Sequence, residues 1–301
     1  MRSGYIYWGE KVMTLKLVPL LMFLIFICGC IGKIGIGKPV VKGISNELGE
    51  VSREHTEVIT KIRVYNPNPF PLPLKDVLTE IYVNGRKIGE GSALKSEIKP
   101  SSESLVVVST KINNRKIPEW WIEHIKNGEK SRVEFRGHLV FDLKITEFRF
   151  PIERSGEIKT DVLKVLRTKG KTGPVRVKPT KPSWGEVNSN YSEILIETVV
   201  ENENKYSIKI TRFYSLVEMN GVRLSDEWQD VEYFLEPKSK KKLDFKIRLN
   251  NSRIVDWWVS HVKNGGKTNV KIELKAFLDV GGREVELDLL EKESSFIAQF
   301  F

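Results

Sequence analysis

Cysteine is almost absent from this chain of 301 residues, which has two, Cys28 and Cys30. Both lie at the end of an apolar run near the N-terminus, so the rest of the chain has no disulfide framework and no thiolate metal site. Histidine is also scarce, with four residues, and no His-Glu-x-x-His motif occurs. These shortages exclude a disulfide-stapled scaffold and the common zinc-protease pattern.

Glutamine is the next shortage. Gln229 and Gln299 are the only two, while Lys, Glu and Ile are abundant, a bias that is typical of hyperthermophile proteins and indicates an archaeal source. The net charge of +10 and the pI near 9.4 permit anionic partners such as nucleic acid or anionic lipid. The strands predicted below lack the alternation of aromatic and basic residues that a nucleic-acid platform needs, so no nucleic-acid partner is expected.

The chain contains one sequence plan twice. Trp120-Trp121-Ile-Glu-His124-Ile-Lys-Asn-Gly128 recurs as Trp257-Trp258-Val-Ser-His261-Val-Lys-Asn-Gly265, an offset of 137 residues. Upstream, Asn84-Gly85 recurs as Asn220-Gly221 and Asn66-Pro67-Asn68 as Asn202-Glu203-Asn204, both offset by 136 residues. A repeat of this length indicates a duplicated domain, because solenoid units run about 20–50 residues.

The N-terminus has the pattern of an export signal. Lys16 precedes an apolar run at residues 17–27, which has the length of a secretory signal and is shorter than the roughly 20 residues of a bilayer span. Either Met1 or Met13 can be the start. The run ends in Ile27-Cys28-Gly29-Cys30, which resembles a lipobox, so we expect lipidation of Cys30, with an uncleaved membrane anchor as the alternative. Both placements put the domains on the extracellular side of the cell membrane, after a spacer at residues 31–40.

Alternating apolar residues in both copies predict short antiparallel strands. Asn84-Gly85 is a favoured hairpin turn. Pro118 suits the first position of a short helix, and Gly128 suits its left-handed C-terminal end. Because the second copy repeats this order, we predict an all-β fold of two tandem antiparallel β-sandwiches, each with one short helix.

These residues carry a family resemblance. A strand ending in Asn66-Pro67-Asn68, a hairpin with an exposed Asn-Gly turn, a further strand and a short helix resemble the water-stress and hypersensitive-response domain of the type 2 late-embryogenesis-abundant proteins. The resemblance implies fibronectin-III-like sandwiches at residues 41–155 and 184–301, separated by a basic linker at residues 156–183. The second copy keeps Asn202 and Asn204 of the motif and lacks its proline, which indicates the same turn with less rigidity.

Other candidate residues favour structure over chemistry. His124 and His261 can be ligands or bases, but a histidine in the last helical turns suits the helix dipole and can reach a free carbonyl. The twin tryptophans can form a sugar or nucleobase platform, but one ring of each pair is expected to face the core and the other the flank. Two triplets, beginning at Asn190 and Asn250, are possible glycosylation sites.

The resemblance implies a non-enzymatic, surface-anchored, stress-associated protective or binding module linked to desiccation response. No catalytic residue, cofactor site, metal site or small-molecule substrate is expected. The expected partners are the membrane, through the N-terminal segment, and other proteins or anionic lipid headgroups, the latter through the basic linker between Lys164 and Lys181. The alternative is a substrate-binding or hydrolytic accessory lipoprotein that uses a cleft between the two copies.

Overall fold

Two β-sandwiches follow each other in the computed structural model of the chain. It describes residues 37–93, 96–142, 147–167 and 170–298. The apolar N-terminal segment and Cys30 lie outside these residues. Among the helices that are described, none has both the length and the apolar character needed to cross a membrane.

The strands and helices of the two copies correspond one to one along most of their length. The first sandwich comprises β1 (Val40–Val51), β2 (His55–Tyr65), β3 (Leu72–Val83), β4 (Arg86–Ser92), β5 (Ser96–Ile98), β6 (Glu103–Asn113), α1 (Ile117–Lys126), β7 (Lys130–Asp142) and β8 (Glu147–Lys159). The connecting segment holds α2 (Val162–Val165), β9 (Lys171–Thr172) and β10 (Arg176–Val177). The second sandwich comprises β11 (Lys181–Val187), β12 (Tyr191–Glu201), β13 (Ile208–Met219), β14 (Val222–Leu235), β15 (Lys240–Asn250), α3 (Ile254–Lys263), β16 (Lys267–Val280) and β17 (Arg283–Ile297).

The strand order is the same in both copies. One layer has the order β1-β2-β6 in the first sandwich and β11-β12-β15 in the second. The facing layer has the order β4-β3-β7-β8 in the first sandwich and β14-β13-β16-β17 in the second. All of the ladders between these strands are antiparallel. The prediction of an all-β fold with two tandem antiparallel sandwiches is therefore confirmed.

The turn chemistry accounts for the hairpins that the sequence predicts. Asn84 and Gly85 have φ angles of 50° and 81°, and Asn220 and Gly221 have φ angles of 51° and 77°. Positive φ at both central residues is the requirement of the tight hairpin turn that matches strand twist. Each asparagine side chain also accepts a hydrogen bond from the backbone of the neighbouring strand, from Arg132 N in one copy at 2.9 Å and from Asn269 N in the other at 2.8 Å.

The two helices begin and end in the same way. Each follows a single 3₁₀ turn that is capped by an asparagine, Asn113 or Asn250, whose side chain accepts a backbone hydrogen bond. The helix predicted from Pro118 begins one residue earlier, at Ile117, and Gly128 takes the expected left-handed conformation with φ 67°. The next residue is also left-handed in both copies, and it is Glu129 in the first and Gly266 in the second.

The seam between the two layers differs between the sandwiches. In the first, β4 pairs directly with β6, and Gly91 lies opposite Thr110. A Cβ at position 91 would lie 2.1 Å from the carbonyl oxygen of Ser109, so this approach requires glycine. In the second sandwich the described residues form no ladder between β14 and β15, and the residue at the position of Gly91 is Glu227.

The segment between the sandwiches is more structured than an exposed basic linker. Five of its apolar side chains are buried in the core: Val162, Val165, Leu166, Val175 and Val177. The basic side chains of Lys164, Arg167, Arg176 and Lys181 stay exposed. β10 adds to the edge of β12, where Glu201 forms ion pairs with Lys178 at 3.3 Å and Lys240 at 3.0 Å. Strand β8 continues past residue 155 and β11 starts before residue 184, so each strand crosses a domain boundary expected from the sequence.

Candidate functional site

The twin tryptophans lie where the two sandwiches meet. Trp121 and Trp257 have ring centroids 5.2 Å apart, and Trp120 and Trp258 have theirs 5.8 Å apart, both in edge-on arrangements. All four side chains are buried. Helices α1 and α3 therefore face each other through an aromatic cluster with approximate two-fold symmetry. The sequence predicts that one ring of each pair faces the core and the other faces the flank. In the structure both rings of each pair are buried.

The second tryptophan of each pair donates its hydrogen bond to the other sandwich. Trp258 Nε1 donates to Thr56 Oγ1 and to Asn114 Oδ1, both at 3.0 Å. Trp121 Nε1 donates to Ser192 Oγ at 3.1 Å, and Ser192 Oγ donates to Asn251 Oδ1 at 2.9 Å. Because Ser192 and Asn251 occupy the repeat positions of Thr56 and Asn114, the two contacts are equivalent. Each copy therefore donates one indole N–H to the other copy and accepts one indole N–H from it.

The histidine of the first copy is part of a closed hydrogen-bond network. Trp120 Nε1 donates to Ser131 Oγ at 3.0 Å, and Ser131 Oγ lies 2.9 Å from His124 Nδ1. Thr160 Oγ1 donates to Glu129 Oε2 at 2.7 Å and lies 2.9 Å from His124 Nε2. Thr160 gives its one proton to Glu129, so His124 Nε2 donates to Thr160. Burial favours the neutral ring, whose Nδ1 then accepts from Ser131.

The histidine of the second copy has the same arrangement. Thr268 Oγ1 accepts from Trp257 Nε1 at 3.0 Å and lies 2.7 Å from His261 Nδ1. His261 Nε2 lies 2.9 Å from the carbonyl oxygen of Ala298, which accepts its proton. Burial lowers the pKa of His124 to about 4 and also lowers the pKa of His261. Burial therefore favours the neutral form of both rings, and His261 reaches a carbonyl, that of Ala298.

Glu129 makes the first copy differ from the second. Its carboxylate accepts hydrogen bonds from Thr160 Oγ1, from Val162 N at 2.6 Å and from Trp184 Nε1 at 3.1 Å. These bonds join α1's end to the connecting segment and to β11 of the second sandwich. The counterpart Gly266 has no side chain, so the second copy has no such link. Glu129 lies near His124, but its carboxylate oxygens are used in these three structural hydrogen bonds.

The Asn66-Pro67-Asn68 motif is a side-chain clamp. Asn66 Nδ2 donates to the carbonyls of Phe70 at 2.8 Å and Ile98 at 3.2 Å, and Asn66 Oδ1 accepts from Asn68 N at 2.9 Å. Asn68 exchanges two hydrogen bonds with the backbone of Gly37, one to its carbonyl and one from its N–H. Asn66 and Asn68 are buried. Their polar atoms are used to fix the turn and the incoming chain.

The second copy retains this clamp without proline. Asn202 Nδ2 donates to the carbonyls of Tyr206 at 2.8 Å and Leu235 at 3.0 Å. Asn204 N donates to Asn202 Oδ1 at 3.0 Å, and Asn204 Nδ2 donates to the carbonyl of Pro174 at 2.7 Å. Pro174 follows Gly173, the residue that the 136-residue offset aligns with Gly37. The asparagines, and not the proline, therefore carry the contacts of the motif.

The remaining candidate residues lie apart from one another. The side chains of Asn190 and Asn250 are exposed, and Asn250 Oδ1 accepts from Ser252 N at 3.0 Å. His138 is exposed on β7, within a broad depression of about 630 Å³. His55 lies 3.6 Å from Glu50, beside a second depression of about 640 Å³. Among the described residues, no group of three or more His, Cys, Asp or Glu side chains is placed to hold a metal ion.

One feature of the second sandwich is missed by the sequence analysis. A hollow of about 110 Å³ lies between β14 and β15, with Glu227 and the exposed Trp228 among its lining residues. The signal for it is the difference between the copies, because the repeat register places Glu227 at the position of Gly91 and Trp228 at the position of Ser92. Comparing the copies for their differences, in addition to their shared residues, would have found it.

The fold and these contacts define a class of protein: a tandem β-sandwich whose repeated polar residues serve the framework. The chain belongs to the late embryogenesis abundant family. The model of that family, described as "Late embryogenesis abundant protein", matches residues 61–156 and 199–289, one region in each sandwich and together more than half of the chain. This confirms the resemblance drawn from the asparagine motif and the two tandem copies. Membership of this family supports a stress-associated or binding module in general.

The chain is also similar to individual proteins. An uncharacterized protein of Methanocaldococcus jannaschii is 27% identical over 154 residues, which are 50% of this chain and 87% of that protein. A protein of Archaeoglobus fulgidus of known crystal structure is 30% identical, covers 42% of this chain and 99% of its own length, and has a TM-score of 0.40. A solution structure from Arabidopsis thaliana is 22% identical, with coverages of 40% and 80% and a TM-score of 0.31. The relative from Methanocaldococcus jannaschii supports the archaeal source that the composition indicates.

Proposed function

We propose that this chain is a non-enzymatic, stress-associated protective or binding module, held on the outer face of the cell membrane by its N-terminal segment. The observation that supports it best is the use of the repeated polar residues. His124, His261 and the motif asparagines are occupied by hydrogen bonds within the framework. A duplicated enzyme would be expected to keep one repeated site with free functional groups.

The protective role is tested by drying. A drying-sensitive enzyme such as lactate dehydrogenase is dried and rehydrated with the full chain or with an equal mass of serum albumin. The proposal expects more recovered activity with the chain than with albumin. Equal recovery with the two proteins would overturn the protective role and leave a binding role that a pull-down from stressed cells can define.

The absence of catalysis is tested by an activity screen. The full chain is assayed with ester, phosphoester, peptide and glycoside substrates, beside the variants His124→Gln and His261→Gln. We expect no turnover above background in any sample. A reproducible turnover that either variant abolishes would contradict the proposal.

Anchoring through Cys30 completes the proposal and rests on the lipobox-like sequence at residues 27–30. In its own host, the protein should partition into detergent, and Cys30→Ser should move it to the aqueous phase. The matched control Cys28→Ser should partition like the wild type. Partition that survives both substitutions would favour the uncleaved membrane anchor.

Anionic lipid is the proposed contact for the basic segment. The side chains of Lys164, Arg167 and Lys181 are exposed, and each basic residue near an anionic surface contributes on the order of 1 kcal/mol within a Debye length. Binding to vesicles that contain anionic lipid should weaken steeply with added salt. Binding that is insensitive to salt would contradict this contact.

The accessory-lipoprotein alternative receives no support from the junction between the copies. That alternative places a ligand in a cleft between the sandwiches. The four indole rings of the tryptophan pairs occupy the place where α1 and α3 meet. The junction is therefore packed with apolar side chains where the alternative requires an open, polar site.

A further inference from the structure

The second sandwich has a hollow between β14 and β15, where the described residues form no ladder, whereas the depression at the corresponding place in the first sandwich lies over the paired strands β4 and β6. The floor of the hollow consists of Phe213 and Phe245, whose rings stack with centroids 4.7 Å apart. Glu227 and Gln229 point into it from β14, and Lys246 and Arg248 line it from β15. Gln229 Oε1 accepts a hydrogen bond from Lys246 N at 3.3 Å, so side chains bridge the seam in place of a strand ladder.

An exposed aromatic side chain stands at the rim of this hollow. Trp228 is 55% exposed, although its ring centroid lies 4.8 Å from that of Tyr214 and 5.1 Å from that of Phe277. The Arg212 guanidinium lies 4.8 Å from the same ring. These contacts hold the indole in place while half of it faces solvent. The repeat counterparts of Tyr214, Trp228 and Phe277 in the first sandwich are Leu78, Ser92 and Val140, so the platform belongs to the second sandwich alone.

The charges around the hollow balance. Glu193 forms ion pairs with Lys246 at 3.2 Å and with Arg248 at 3.5 Å. Burial raises the pKa of Glu227, an effect that nearby Arg248 opposes. Two carboxylates therefore face two cations, which gives no net attraction for an ion of either sign. The lining offers hydrogen-bond acceptors on Glu227 and Gln229 beside donors on Lys246 and Arg248.

We propose that the hollow, which we call the seam site, binds a neutral saccharide. A pyranose ring has an apolar face of C–H groups that can lie on the exposed half of Trp228, and a rim of hydroxyls that both donate and accept. Those hydroxyls reach Glu227, Gln229 and Arg248, which satisfies the mixed lining. The volume of about 110 Å³ admits one end of a sugar, and the remainder lies over the indole.

The test titrates neutral disaccharides into the full chain, which is kept in a detergent without a sugar headgroup. Cellobiose, mannobiose, maltose and diacetylchitobiose serve as probes, with tetramethylammonium and a glucuronic-acid disaccharide as charged comparisons. Calorimetry measures affinity, and proton–nitrogen spectra follow the indole N–H of Trp228. We expect at least one neutral disaccharide to bind with a Kd of about 1 mM or tighter and to shift that indole signal.

Two variants and a matched control separate the seam site from other surfaces. Trp228→Ala and Glu227→Gln should each weaken binding about tenfold. Phe234→Ala changes another aromatic residue of β14 with similar exposure, 50%, that does not line the hollow, and it should bind like the wild type. The proposal is overturned if no neutral disaccharide binds, if Trp228→Ala keeps full affinity, or if a charged probe binds more tightly than every neutral one.

Discussion

At the residue scale, the repeated polar side chains are explained by the hydrogen bonds that they make. His124 and His261 each have both ring nitrogens engaged, and burial, which lowers the pKa of both, favours the neutral imidazole. The asparagine clamps use both ends of each amide. Polar residues that recur in a duplicated chain therefore mark places where buried backbone needs a partner.

The histidines predict a pH dependence of stability. The unfolded chain takes up a proton on each imidazole near pH 6.5, whereas His124 folded resists protonation until about pH 4. The stability that depends on the neutral His124 is therefore fully present above pH 6.5 and is lost as pH drops toward 4, with a limiting slope of about 1.4 kcal/mol per pH unit, and His261, whose pKa is also lowered by burial, acts in the same direction. Denaturant unfolding between pH 7.5 and 5 measures this slope. The double variant His124→Gln and His261→Gln should lose it and the exposed control His138→Gln should keep it; an unchanged slope in the double variant would contradict the assignment.

The asparagine clamps predict a contrast within one motif. Asn66→Ala leaves the carbonyls of Phe70 and Ile98 without their side-chain donor, and we expect a loss of about 2–4 kcal/mol in unfolding free energy. Asn202→Ala should cost about the same, because its contacts are equivalent. Pro67→Ala should cost no more than about 1 kcal/mol. A proline variant as unstable as the asparagine variants would show that rigidity, and not hydrogen bonding, governs the turn.

At the element scale, the seam between the layers depends on one position of the repeat. Gly91 allows β4 to pair with β6, and Glu227 stands where β14 and β15 have no ladder. The ladder between β4 and β6 in the first sandwich, and the lack of one between the described residues of β14 and β15 in the second, change the surface without changing the strand order. The two copies therefore differ in whether the strands at this position are paired.

Gly91→Ala should lower the free energy of unfolding by about 1–3 kcal/mol, because its Cβ would lie 2.1 Å from Ser109 O and 2.5 Å from Thr110 Cα, which only backbone movement can relieve. The matched control is Gly156→Ala on β8, where an added Cβ meets nothing within 4 Å. That variant should be neutral or up to about 1 kcal/mol more stable. Chemical denaturation of both variants measures the difference, and equal stabilities would show that β4 and β6 tolerate separation.

Elements governed by local chemistry were predictable from the sequence. The Asn-Gly hairpins and the helix that ends before Gly128 depend on residues a few positions apart, so their signals are visible in short windows. The docking of the copies was not predictable in this way. Trp258 and Thr56 are 202 residues apart, and nothing in either sequence window specifies the other. Burial of the valines in the connecting segment was not predictable for the same reason. The basic sequence around them does not indicate that a distant strand, β12, pairs with this segment.

At the scale of the whole molecule, the two sandwiches are joined by reciprocal contacts. Each supplies one indole to a receiving hydroxyl of the other, and Arg53 adds an ion pair with Asp256 across the junction at 3.2 Å. The ion pair is partly exposed and contributes little, so the buried tryptophans carry the junction. Two copies joined in this way should unfold together as one cooperative unit. Binding surfaces on the two copies should keep a fixed distance and orientation.

The most direct test of this account is a calorimetric scan of the full chain and of the double variant Trp121→Ala and Trp258→Ala. The wild type should unfold in one transition, with calorimetric and van't Hoff enthalpies that agree. The double variant loses about 3–5 kcal/mol per ring and both cross-sandwich hydrogen bonds, so its sandwiches should unfold in two separate transitions. Two transitions in the wild type, or a single unchanged transition in the double variant, would contradict the claim that the repeated tryptophans make the two copies one cooperative unit.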